Sequence, residues 1–255
     1  MPFRIKFIPL VLQKESDVFF NQNASRNVPR AKYEKRDHPV AVVGGGPLLD
    51  LEALRKWPGE IWAVNRTADY LLSQGIDCTF FTVDSFAIET VAKKRLLSTN
   101  CNPELFTDGA ECFALSEHEE GGILGGSTSA GRAPLLALRL GFPGVVFFGC
   151  EGSFSGPTHV DRDEPQYTEQ LMVRADGKDY KTRPDYALQA EYLSELLREF
   201  PQYFTEQSGG LLRAMKNDPD WEVIAISDDL KDSMRENNGG VDLYDIPYEK
   251  LCQSE

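Results

Sequence analysis

Four short stretches, VAVV (40–43), IWAV (61–64), CTFFTV (78–83) and VVFFG (145–149), carry almost no charged or amide side chains. A strand with little polar content on either face has to be covered on both, which is the condition of a parallel sheet flanked by helices. Between these runs lie segments with apolar residues near a 3.6-residue spacing: LLDLEALRKW (48–57), TADYLLSQ (67–74) and APLLALRLG (133–141). Thr67 is placed to cap the second of these, and Gly75 to stop it. SFAIETVAKKRLL (85–97) and DYALQAEYLSELLREF (185–200) read as further helices, and ECFAL (111–115) and WEVIAIS (221–227) as further strands. Strands alternating with helices predict an α/β fold, doubly wound, with a mostly parallel sheet and helices on both faces.

Around that core the chain divides into residues 1–39, a main domain over 40–230, and an irregular acidic tail over 231–255. The opening MPFRIKFIPLVLQK reads as a strand rather than a signal peptide, because Lys6 and Pro9 break its apolar run and no small-residue cleavage site follows. Residues 21–39 are polar and basic and read as a surface arm. The stretch 150–185 is rich in Gly, Pro, Asp and Thr and reads as a long loop insertion, a feature uncommon without a function. A net charge of −13 argues against nucleic acid as a partner, since phosphate backbones need a cationic face. No apolar run approaches the ~20 residues of a membrane span. The five cysteines, Cys78, Cys101, Cys112, Cys150 and Cys252, show neither CxxC nor zinc-type spacing. The cytoplasm is the compartment expected.

The motifs fall where the strands end. VAVV runs into Gly44, Gly45 and Gly46, a tight turn whose amides can approach an anion, ahead of a helix that would present its positive end. A dinucleotide fingerprint needs GxGxxG, and Leu49 holds the third glycine position, so the turn points away from NAD. A glycine turn without a ligand is the plain alternative. Asn65 follows the second strand and is placed to read a ribose or base edge; Asp84 follows the third, as a Mg²⁺ ligand, an acid/base group, or simply a helix cap with Ser85. Gly126, Ser127, Thr128 and Ser129 precede a helix and can converge on an anion or a sugar, or merely cap that helix. The run lacks the lysine of a P-loop and the spacing of a nucleophile elbow. After VVFF come Glu151, His159, Asp161 and Asp163, a carboxylate and imidazole set suited to general acid/base work, although a loop histidine is more often merely exposed.

In order and spacing, VAVVGGGPLLD, AVNRTADYLLSQGIDCTFFTVD, GGSTSAGRAPLLALRLGFPGVVFFGCEGSF, GPTHVD, DGKDYKTRPDYALQAEYLSEL and the SGG of 208–210 resemble the MptE-like family. That family groups archaeal 6-hydroxymethylpterin diphosphokinases with the motility-associated factor (Maf) flagellin glycosyltransferases. The unit from STSAG to GCEG also looks like the corresponding part of bacterial sialyltransferases that use CMP-sialic acid. The resemblance covers roughly residues 40–210 and implies a Rossmann-like fold that binds a nucleotide or nucleotide-sugar. It implies that Gly44–Gly46 face the donor phosphates, that Asn65 and Asp84 face the ribose, a metal or the acceptor, that GGSTS closes over the nucleotide, and that the GPTH loop with Thr182 completes the acceptor side. Two positions depart from the family pattern. Leu48 stands where a serine is usual, removing a phosphate donor, and Glu151 stands where an aspartate is usual.

The function expected is a nucleotide-dependent transferase, moving a glycosyl group from a nucleotide-activated, CMP-type donor to a hydroxyl acceptor with Asp84 or His159 as base. The alternatives are Mg²⁺-dependent pyrophosphoryl transfer from ATP to 6-hydroxymethyl-dihydropterin, with Asp84 and Glu151 on the metal, and a non-catalytic nucleotide-binding protein.

Overall fold

The computed structural model describes residues 15–24, 28–85, 88–115, 122–126, 128–154 and 170–237. In chain order the elements are α1 (Glu15–Ala24), β1 (Val40–Val43), α2 (Leu51–Arg55), β2 (Ile61–Val64), α3 (Thr67–Ser73), β3 (Thr79–Thr82), β4 (Arg95–Ser98), β5 (Ala110–Phe113), α4 (Ser129–Arg139) and β6 (Val145–Phe148). There follow β7 (Leu171–Ala175), β8 (Lys178–Thr182), α5 (Pro184–Glu199), β9 (Phe204–Glu206), α6 (Gly210–Asn217), β10 (Glu222–Ile226) and α7 (Asp228–Asn237).

Seven strands form one sheet in the order β5-β4-β3-β2-β1-β6-β9, and each neighbouring pair is parallel. The chain winds outward from β1 to β5, then returns to the other side of β1 for β6 and β9. The direction reverses between β1 and β6, and open α/β sheets bind their ligands beyond the strand ends at such a point. Side chains alternate along β1: Val40 and Val42 enter one core, Ala41 and Val43 the other. The first core is closed by α4, α5 and α6 through Leu136, Leu193 and Leu212; the second by α2 and α3 through Leu54 and Leu71. Burying each large apolar side chain contributes roughly 1.5–3 kcal/mol, so residues with no exposure such as Phe147 and Phe148 anchor the two layers together.

The expected helix over 85–97 is not formed in its described part. Ile88, Ala92 and Leu96 do follow a helical period, but Arg95–Ser98 pairs on both sides, with β3 and β5. Upstream, Asp69 of α3 accepts from the Thr90 hydroxyl at 2.7 Å and the Val91 amide at 3.0 Å, which holds that segment open. Strand pairing in the sheet overrides a local period. Thr67 is the first residue of α3 rather than its cap, which is Arg66. Gly75, at φ +73°, does end the segment.

The arm differs from a free surface connection. Asn21–Ala24 belongs to α1, and residues 28–36 lie along the sheet. The Cys112 amide donates to the Pro29 carbonyl and the Ala31 amide to the Cys112 carbonyl, both at 2.9 Å, so the arm covers the open edge of β5. The insertion over 150–185 is likewise not all loop. β7 and β8 form a hairpin, joined by β10 in an antiparallel sheet of order β10-β7-β8. Its turn holds Asp176 at φ +51° and Gly177 at φ +69°, the left-handed pair that an Asp-Gly hairpin uses. The acidic tail begins as helix, since α7 runs to Asn237. The strand expected over residues 1–14, the sequence 155–169 with His159, Asp161 and Asp163, and the tail beyond 237 lie outside the described residues.

Candidate active site

Because the seven strands are parallel, the residues that follow β1, β2, β3 and β6 share one edge of the sheet. Two polar groups are built there. The first joins Asn65, Asp84 and Ser129. The Asn65 side-chain amide donates to Asp84 Oδ2 at 2.6 Å, and the Ser129 hydroxyl lies 3.4 Å from the same oxygen. Ser129, in the first turn of α4, also accepts from the Val83 amide at 3.0 Å, which ties the helix start to the end of β3. Thr82 accepts from the Asp84 amide at 3.0 Å, and Asn100 donates to the Val83 carbonyl at 3.0 Å. Asn65 sits at φ +53°, a conformation asparagine tolerates better than most residues, and that turn brings its side chain back over β3.

Burial pushes the Asp84 carboxyl above the ordinary aspartate range, while the bonds from Asn65, Ser129 and Thr82 pull the other way. A carboxylate raised in this manner is a better base than one in water. With Asn65 Nδ2 committed to Asp84, its Oδ1 remains as a buried acceptor with no partner among the described residues.

The second group is the glycine turn itself. The backbones of β1 and β6 cross closely here: the Gly44 amide donates to Phe148, and the Gly46 amide to Gly149, each at 2.8 Å. A Cβ at Gly44 would collide with the Gly149 carbonyl, and one at Gly149, which has φ +60°, with the Gly44 carbonyl. Gly45 is half-buried beside them. The turn is not open. Glu151, 1% exposed, reaches into it, and its Oε1 accepts from the Leu48 amide at 2.6 Å. The other oxygen, Oε2, is buried without a partner among the described residues. Burial pushes this carboxyl up to about 7, against the bonds from the backbone amides. The helix expected to lend its positive end, α2, has only five residues, with Asp50 as its cap, so no dipole argument attaches to it.

The remaining candidates have local roles. Thr128 caps α4, accepting from Gly131 N at 3.1 Å and donating to Gln189 Oε1 at 2.7 Å. Gly126 donates to the Gly131 carbonyl at 3.3 Å, and a Cβ there would lie 3.0 Å from Tyr192. Thr182, fully buried at the end of β8, donates to the Gly152 carbonyl and so holds the hairpin against the segment after β6. Ser127 and His159 lie outside the described residues. Sequence reasoning missed Thr82, Asn100 and Ser208, whose hydroxyl accepts from the Cys150 amide at 3.0 Å. No local signal marks Asn100 and Ser208, because each acts on a strand end distant in sequence; Thr82, two residues before Asp84, reads simply as part of its strand.

Asp84 Oδ2 and Glu151 Oε1 each already accept from an amide, and among the described residues no group of three or more His, Cys, Asp and Glu side chains gathers that could hold a metal. The thiols of Cys78, Cys101 and Cys150 are buried and pushed up to about 12, which suits packing rather than nucleophilic chemistry. A cavity of about 620 Å³ lies at the opposite edge, lined by Trp62, Thr79, Arg95 and Gly109, away from both groups. Among the described residues no helix is long and apolar enough to cross a membrane.

Fold and strand-end chemistry together define a Rossmann-like α/β domain with two polar groups at the carboxyl edge of its sheet. Among solved structures the chain is similar to the Maf glycosyltransferase from Magnetospirillum magneticum AMB-1, at 16% identity and a TM-score of 0.58. The match covers 77% of this chain and 36% of that one, so the chain spans about a third of the length of the protein it matches. A likeness at that identity shows a shared fold. No family model and no curated protein matches the chain.

Proposed function

We propose that the chain is a nucleotide-dependent transferase, moving a glycosyl group from a nucleotide-activated, CMP-type sugar to a hydroxyl acceptor. The observation that carries this is the Asn65–Asp84–Ser129 group, placed at the carboxyl ends of β2 and β3 and at the start of α4. Asp84 takes the proton of the acceptor hydroxyl. The acceptor oxygen then bonds to the anomeric carbon as the bond from that carbon to the donor phosphate breaks, and the phosphate leaves with the electron pair. Asn65 keeps the Asp84 carboxylate oriented and offers Oδ1 to a hydroxyl or amino group of the nucleotide. The fold shared with a protein named as a glycosyltransferase supports the reading. The buried thiols are compatible with a cytoplasmic place.

Calorimetric titration with CMP, UMP, GMP and AMP tests it. A nucleotide should bind, and Asp84→Asn should keep that binding while lowering transfer by about 10²–10⁴-fold, the usual contribution of a general base. Absence of binding to any of the four at millimolar concentration would sink the proposal. Pyrophosphoryl transfer has less support, since Asp84 and Glu151, the carboxylates it would use for Mg²⁺, sit in separate groups and each already accepts from a donor through one oxygen.

A further inference from the structure

Gly46 supplies the starting point. Its φ lies outside the left-handed region, so its own backbone conformation does not demand glycine. A Cβ there would instead lie inside the Glu151 carboxylate. From the other side Gly210 closes on the same side chain, where an added Cβ would be 2.6 Å from Glu151 Cβ. The Glu151 carbonyl accepts from the Leu212 amide at 2.9 Å. The carboxylate is therefore clamped between the β1 turn and the start of α6, yet among the described residues only one of its oxygens is bonded to another residue.

We infer that the Gly44–Leu48 turn is an anion seat occupied by the Glu151 side chain in the ligand-free chain, and that a ligand phosphate enters by exchange, with Glu151 releasing the Leu48 amide and taking one proton from solvent. The inference rests on the proposed function, in which a phosphate-bearing donor enters this crevice. Two anions cannot share one desolvated seat, so one of them is neutralised when the other arrives. Glu151 is the group poised for this, because burial already brings its titration to about 7.

Among the described residues its charge has no other partner. The Cys150 thiol beside it stays neutral, being pushed up to about 12. Ser153 is engaged by the Leu211 amide at 3.1 Å. On the α6 side Glu206 and Arg213 pair with each other at 2.7 Å. On the α2 side Asp50 caps the Ala53 amide at 3.0 Å. Among the described residues no salt bridge reaches Glu151.

Sulfate is the probe, since it keeps its double charge across the range of interest. It is titrated into the full chain at about pH 6 and about pH 8.5. One linked proton weakens binding by up to about tenfold per pH unit above the titration point, so sulfate should bind at least about tenfold more weakly at the higher pH. Glu151→Gln should remove that difference. In the wild-type chain the Leu48 amide resonance should titrate near 7, and sulfate should suppress the titration. That measurement decides the matter if the variant fails to fold. Equal sulfate affinity at both pH values, a pH effect that survives in Glu151→Gln, no sulfate binding at either pH, or a Leu48 amide that does not titrate near 7 each overturns the inference. A chain that binds CMP without the sulfate effect loses this inference and keeps the transferase reading. A chain that shows the sulfate effect and binds no nucleotide does the reverse.

Discussion

Glu151 sets a pH dependence of stability as well as of binding. Its titration lies at about 7 in the fold, above the ordinary value of 4.5, so the folded chain favours the protonated form. The stability contributed is complete below about 4.5 and is lost as pH rises through about 7. A separation of that size corresponds to a few kcal/mol, about 3 at most. Glu151→Gln keeps the shape and removes the charge. It should therefore raise stability by roughly 1–3 kcal/mol at pH near 8.5 and change it little near pH 5, read from urea midpoints at the two values. A loss of stability at the higher pH would contradict the assignment of burial as the cause. Gly46→Ala tests the same contact sterically. It should cost roughly 2–3 kcal/mol through the forced collision, and part of that cost should vanish in a Glu151→Ala background, the approach to the Gly149 carbonyl at 2.8 Å remaining. Purely additive losses in the double variant would show that the two residues do not compete for space.

At the level of elements, the parts legible in the sequence were those whose local pattern and sheet environment agree. β1, β2, β3 and β6 are apolar runs because helices cover both their faces, and α4 and α5 keep a helical period for the same reason. β4 was hidden because its upstream residues carry a helical spacing that its neighbours in the sheet override. β9 has three residues, too few for any period to show. The β7–β8 hairpin did carry a signal, the Asp-Gly pair at 176–177, which low apolar content around it masked. The segment before β4 offers a direct check. Asp69→Ala removes the acceptor that fixes Thr90 and Val91, and should speed hydrogen exchange of the Val91 amide while destabilising the fold by about 1–2 kcal/mol. Unchanged exchange at Val91 would mean that pairing of β4 alone defines the segment.

For the molecule as a whole, the order of strand ends was readable and the occupancy of the crevice was not. Parallel strands place Gly44, Asn65, Asp84 and Glu151 on one edge, and that follows from alternation alone. The Asn65–Asp84 bond and the entry of Glu151 into the glycine turn are tertiary facts, set by crossings of strands that no short motif encodes. A phosphate turn read from glycines is a statement about backbone room; whether the room is already taken depends on what the other half of the sheet brings to it. The net charge of −13 is consistent with a solvated surface.

The bond from Leu48 to Glu151 spans 103 residues of chain. During synthesis, the amino-terminal half leaves the ribosome with β1 paired on one side only, since its other neighbour is β6. Until β6 arrives, β1, an interior strand of the finished sheet, is an exposed edge, and the glycine turn lacks its acceptors on Phe148 and Gly149. The crevice is thus assembled late, by closure of the longest part of the topology, and contacts of high sequence separation of this kind slow folding. A nascent chain halted before β6 would hold five of the seven strands of the parallel sheet and none of the partners of the glycine turn, so the chemistry and the completion of the fold arrive together.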